Sequence, residues 1–138
     1  MTGFEIFWPI VVHVLLVFCL YALLSFRRVR LVRAGKVHAA QFRENRDEPG
    51  ESLVVKNSIA NQFELPVLFY VSCVLLYITE ADNIVSLALA WLFVVLRYVH
   101  AFVHVTNNRI RYRRPLFMGG VATLFAMWVW LAVWMAMS

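Results

Sequence analysis

The sequence predicts an all-α integral membrane protein, a bundle of four membrane-spanning helices. Three observations predict it. Of 138 residues, 62% are hydrophobic and 15% charged, whereas a soluble domain of this length carries about 45–50% apolar and about 25% charged residues. Four apolar stretches each approach the roughly 20 residues that cross a bilayer core. Basic residues crowd some of the connections between these stretches and are missing from the others.

The first stretch covers about residues 4–26. It is longer than the apolar core of a secretory signal and has no basic residue ahead of it, so it reads as a retained helix. The second covers about 57–79, the third about 84–106 and the fourth about 116–137. A long polar connection at 27–56, a tight Glu80–Asn83 turn and the Asn107–Pro115 segment join them. Lipid offers backbone groups no partners, so each stretch must satisfy itself as a helix. The length admits a single domain, 1–138.

Of the 13 basic residues, eight lie in 27–56, four in 107–115, and Arg97 sits inside the third stretch. Under the positive-inside rule both basic connections face the cytoplasm and both termini face out. Trp8, Trp128, Trp130 and Trp134 fall toward the outer ends, as an aromatic belt requires. Arg27, Arg28, Lys36 and Arg43 are read as topological charges that also meet anionic lipid heads. Nucleic acid is excluded as a partner, because no soluble module presents these charges. Cys19 and Cys73 fall at different depths of two helices and read as packing residues.

Ionisable groups at membrane depth are costly and mark functional candidates. Asn57, Asn61 and Glu64 recur at i, i+4 and i+7 on the second stretch, and Arg97, His100 and His104 at i, i+3 and i+7 on the third. Counted from the cytoplasmic ends, Glu64 lies at about 10 Å, His100 at about 9 Å and Arg97 at about 13 Å. A Glu64 carboxylate and an Arg97 guanidinium at similar depth are therefore expected to pair. Pro66 is expected to kink the second helix beside them.

The segment Asn107-Asn108-Arg109-Ile110-Arg111-Tyr112-Arg113-Arg114-Pro115 forms a second cluster. Pro115 is expected as the first residue of the fourth helix, leaving Arg113 and Arg114 at the bundle mouth beside a helix N-terminus. Both the guanidinium groups and the helix dipole favour an anion there. A haem held by His13 and His100 is disfavoured, since they lie about 13 Å and about 24 Å below the outer surface. A metal on His100 and His104 lacks an evident third ligand. Gly119 and Gly120 allow close packing of the fourth helix but specify no stoichiometry.

The order Asn61-x-x-Glu64-x-Pro66, then Arg97-x-x-His100, then Arg113 resembles the MAPEG family, the membrane-associated proteins of eicosanoid and glutathione metabolism. The resemblance covers nearly the whole chain and is similar in topology to the bacterial-type members, some of which have no assigned activity. It implies a homotrimer in a bacterial inner membrane, with glutathione bound in a cytoplasm-facing cleft between subunits. By position it implies that Asn61 and Glu64 hold the glutathione backbone. It further implies that Arg97, His100, His104 and Arg30 line the cleft, and that Arg113 stabilises the thiolate. A cation favours the deprotonated thiol, which is the nucleophile, and a lipophilic small molecule would reach it from the bilayer. Asn57 stands where several members have arginine, and His104 where tyrosine is frequent.

Two functions from different classes remain open from the sequence. One is a glutathione-dependent transferase or peroxidase acting on lipophilic electrophiles. The other is a non-catalytic membrane protein that uses the same fold to bind a lipid, another anionic ligand or a protein partner. Thiol binding discriminates between them.

Overall fold

The computed structural model describes residues 3–44 and 46–138, and all regular structure among them is helical. A 3-10 turn at Glu5–Phe7 leads into α1 (Trp8–Arg33). Then come α2 (Ala39–Arg43), α3 (Gly50–Gln62), α4 (Leu65–Ile78), α5 (Ile84–Val105) and α6 (Ile110–Met137). Four segments are long and apolar enough to cross a membrane: Glu5–Arg33, Gly50–Ile78, Ile84–Val105 and Ile110–Met137. At most 39% of the residues in their most apolar windows are buried within the chain. The remainder faces outward, a surface that only lipid or another apolar surface can cover.

α1 outruns its expected end at Phe26 by seven residues. Arg30 and Arg33 fill its last turn, where cations complement the negative end of the helix dipole. Arg27 ties this extension to the bundle, donating to Glu51 O at 2.8 Å and to Val105 O at 2.9 Å. The polar 27–56 connection therefore shrinks: its first residues belong to α1, and Gly50–Lys56 belongs to α3.

The second spanning segment is two helices, not one. A proline at position 66 has no N–H for the carbonyl of residue 62, and its ring collides with that carbonyl. α3 accordingly stops at Gln62, and α4 restarts with Pro66 in its first turn, where the missing donor costs nothing. Between them Glu64 takes φ −97° and ψ −106°, outside helical geometry.

α5 opens with a reciprocal cap. Ser86 N donates to Asn83 Oδ1 at 2.9 Å and Asn83 N to Ser86 Oγ at 2.8 Å, which satisfies two of the otherwise orphaned amides. α6 begins at Ile110, so Pro115 lies inside it and not at its start. Its far end is fastened by Trp130 and Trp134, whose indole N–H groups donate to Ala81 O and Thr79 O, each at 2.9 Å.

Two apolar clusters fill the interior. One gathers Phe69, Cys73, Leu76, Phe93, Leu124 and Met127, where α4, α5 and α6 meet. The other gathers Leu16, Leu20, Leu24, Val55, Ile59 and Ala101 between α1, α3 and α5. Lipid tails are as apolar as these side chains, so close packing, not transfer from water, holds them. The Phe69 and Phe93 rings stack at 4.5 Å. Between the two clusters along the helices lies a layer of buried polar groups.

Candidate functional site

The polar layer is centred on Arg97, which α5 carries into the interior with 2% of its surface exposed. A buried guanidinium must spend its donors on nearby oxygens. Nη2 donates to Asn61 Oδ1 at 2.5 Å, and Nε to Gln62 Oε1 at 3.3 Å. Both acceptors lie in the last turn of α3, the turn that Pro66 terminates.

The expected pair between Glu64 and Arg97 does not form. Glu64 follows the break and is exposed; its charge acts on Arg97 only at a distance, and among the described residues it has no ion-pair partner. The helical stripe of Asn57, Asn61 and Glu64 assumed an unbroken helix, and the break takes Glu64 off it. Asn57 is exposed, Asn61 half-buried, and Gln62 buried.

One helical turn from Arg97 a half-open cavity of about 330 Å³ opens between α3, α5 and the start of α6. Asn61, His100, His104, Arg113, Arg114 and Phe117 line it together with Ile110. His100 sits 5.8 Å from the His104 ring and 5.9 Å from Phe117, centroid to centroid. Both imidazoles are more than nine-tenths buried, and the Nδ1 atom of each has no hydrogen-bond partner among the described residues. Leaving a buried polar atom unmatched costs about 1–3 kcal/mol.

The electrostatics favour an anion. Because α6 starts at Ile110, Arg111, Arg113 and Arg114 all lie in its first two turns, with no acidic residue in the first. Cations stacked at the positive end of a helix dipole repel it and one another. Arg113 is held by Asn108, whose Oδ1 accepts from Nη1 at 2.6 Å. Asn108 itself stands at φ +52°, a left-handed conformation that asparagine tolerates.

The structure thus brings together Asn61, His100, His104 and Arg113, with Arg97 one layer behind and joined through Asn61. It does not bring Glu64 or Arg30 to this cavity. Arg30 is exposed, faces Glu51 at 3.9 Å, and lines a separate hollow with Arg27 and Val54. Two contributors carry no role in the sequence reading. Gln62 could have been found from its place four residues before Pro66, and Asn108 from its place just ahead of an arginine-rich helix start. No group of three or more His, Cys, Asp or Glu side chains gathers to hold a metal among the described residues.

The MAPEG family model matches residues 6–133 of this chain. No curated protein and no solved structure matches it.

Proposed function

The chain belongs to the MAPEG family, and from that premise we propose that it is a glutathione-dependent transferase or peroxidase acting on lipophilic electrophiles at the membrane. The single observation that carries this reading is the cavity between α3, α5 and α6. It joins an arginine-rich helix start to two buried imidazoles with unmatched nitrogens. Glutathione carries two carboxylates, an ammonium group, peptide groups and a thiol, and this lining matches that mixture of charge and hydrogen-bonding capacity. Arg113 and Arg114 meet carboxylate or thiolate charge, while Asn61, His100 and His104 meet peptide groups.

In the transferase step Arg113 sits beside the sulfur and stabilises it as the thiolate, the proton leaving to water. The thiolate attacks an electrophilic carbon, a C–S bond forms, and the leaving group departs with its electron pair. Charge moves off sulfur as the bond forms, so the main contribution of Arg113 is to keep the thiol ionised. The apolar electrophile arrives from the lipid along Phe117 and the outward faces of the helices.

Glu64 and Arg30 belong to this reading through assembly. Each is exposed on its own chain, and in a homotrimer a neighbouring copy would carry them to the rim of the cleft. The cavity lies at the same end of the bundle as the basic 27–56 connection, so the positive-inside rule supports a cytoplasmic opening, and the resemblance to bacterial-type members supports a bacterial inner membrane.

Calorimetric titration of glutathione into the detergent-purified protein tests the proposal. Saturable binding, weakened by Glu64→Ala, is the expected result. A folded oligomer that takes up no glutathione would overturn it in favour of a non-catalytic protein binding a lipid, another anion or a protein partner.

A further inference from the structure

His13 is wholly buried in α1, outside the cavity, and the proposed chemistry does not use it. Its ring nevertheless spends both nitrogens, one on each side of the α3–α4 break. Nε2 meets Gln62 Oε1 at 2.9 Å, and Nδ1 meets the Tyr70 hydroxyl. Gln62 is the last residue of α3, and Tyr70 lies in the second turn of α4. At the break the backbone bonds meet only at Glu64, whose N–H donates to Asn61 O at 3.3 Å and whose carbonyl accepts from Val67 N at 3.1 Å. Here a third helix supplies bonds to both limbs.

Arg97 fixes the direction of every bond in this chain. A guanidinium only donates, so the Gln62 atom facing Arg97 Nε is the amide oxygen. With that oxygen accepting, His13 Nε2 carries the hydrogen and donates to it. Nδ1 is then the acceptor, and the Tyr70 O–H is the donor. Continuing outward, Arg97 donates to Asn61 Oδ1, and Asn61 forms part of the cavity wall. Mere packing would not need this arrangement. A leucine fills similar space without the cost of burying polar groups in a membrane interior.

We propose that His13 is a positioning residue of the site: it clamps the α3–α4 break and, through Gln62, sets the Arg97 guanidinium that orients Asn61. The effect on ligand binding rests on the glutathione reading. The effect on Arg97 does not.

Three variants separate the clamp from simple packing. His13→Phe keeps the bulk and removes both bonds. In His13→Gln the amide N–H reaches the place of Nε2 and donates to Gln62, whereas the shorter His13→Asn reaches only toward Tyr70. The first readout is the Arg97 Nε–H resonance of arginine-labelled protein, assigned by its disappearance in Arg97→Lys. The second is the glutathione Kd of the same samples.

Wild type and His13→Gln should keep a slowly exchanging Arg97 Nε–H. His13→Phe and His13→Asn should speed its exchange by about tenfold and weaken glutathione binding by about fivefold, the scale of one lost buried hydrogen bond. An Arg97 signal unchanged in His13→Phe overturns the clamp, as does a loss that His13→Gln fails to rescue. If wild type binds no glutathione, the proposed function fails while the Arg97 signal still decides the clamp. Should His13→Phe not fold, His13→Asn against His13→Gln gives the same comparison.

Discussion

Asn108 Oδ1 accepts a 2.6 Å hydrogen bond from Arg113 Nη1, and this contact aims the guanidinium assigned to the thiolate. Asn108 also shapes the backbone, since at φ +52° its N–H returns to Val103 O at 2.7 Å. Substitution separates the two roles. Asn108→Gly keeps the left-handed turn and removes the side chain, so thermal stability should hold. Turnover of an aryl halide with glutathione should fall about tenfold, the lower end for a bond to a charged group, because the pair is exposed. Asn108→Ala should show the same kinetic loss and also lose about 1–2 kcal/mol of stability to left-handed strain. Steady-state kinetics and thermal denaturation of both variants check this.

Arg113 itself distinguishes catalysis from anchoring. If it keeps the reacting thiol ionised, Arg113→Ala should lower kcat at neutral pH by about 30-fold, as the thiol returns to its ordinary pKa of about 8.5. The glutathione Kd should change far less. Equal losses in kcat and Kd would reduce Arg113 to an anion anchor, and an unchanged rate would remove it from the mechanism.

Glu64 tests where the ligand sits. It is exposed on its own chain and lies outside the cavity that Asn61 and Arg113 line. A cleft between subunits predicts that Glu64→Ala weakens glutathione binding by about tenfold, the scale of one charge-assisted hydrogen bond. The protein mass in detergent should then be three times the 16.0 kDa of the chain. Unchanged affinity would place glutathione within a single chain, and a monomeric mass would remove the shared cleft.

The apolar stretches made four spans legible, because length and composition alone decide what lipid accepts. They made the ends illegible. α1 and α6 continue into arginine-rich turns whose side chains bond to loops and helix ends, as Arg27 does to Val105 O and Arg113 to Asn108. Hydropathy records only the polarity of such turns. The polar layer was half legible. Helical spacing found Asn61, Arg97, His100 and His104, because α5 is unbroken and α3 keeps its period as far as Gln62. Spacing pairs Arg97 with Glu64 and not with Gln62 because it treats Pro66 as a kink in one helix. Proline at position 66 forbids the bond to the carbonyl of residue 62, and that carbonyl is where the period is lost. His13 could not be joined to Gln62 from sequence, since 49 residues separate them.

The α1–α3 connection should respond to acid. Arg28 clasps Glu48 with two hydrogen bonds, at 2.8 and 2.7 Å, while its guanidinium covers the Phe42 ring at 5.0 Å. The Arg28 hydrogen bonds hold the Glu48 carboxyl below its ordinary 4.5, against the opposing effect of burial. A carboxyl whose folded pKa is depressed stabilises the fold above its unfolded value, and that contribution is lost as pH falls through the folded value. Backbone exchange over residues 39–44 and 46–48, corrected for its intrinsic pH dependence, should therefore stay flat from neutral pH to about 5. It should rise below 4.5. Glu48→Gln removes the charge and keeps the shape, so its exchange should already be raised at neutral pH, by no more than about fivefold for a partly exposed pair. It should then show no further rise in acid. A Glu48→Gln profile that still climbs below pH 4.5 would assign the acid response to another carboxylate.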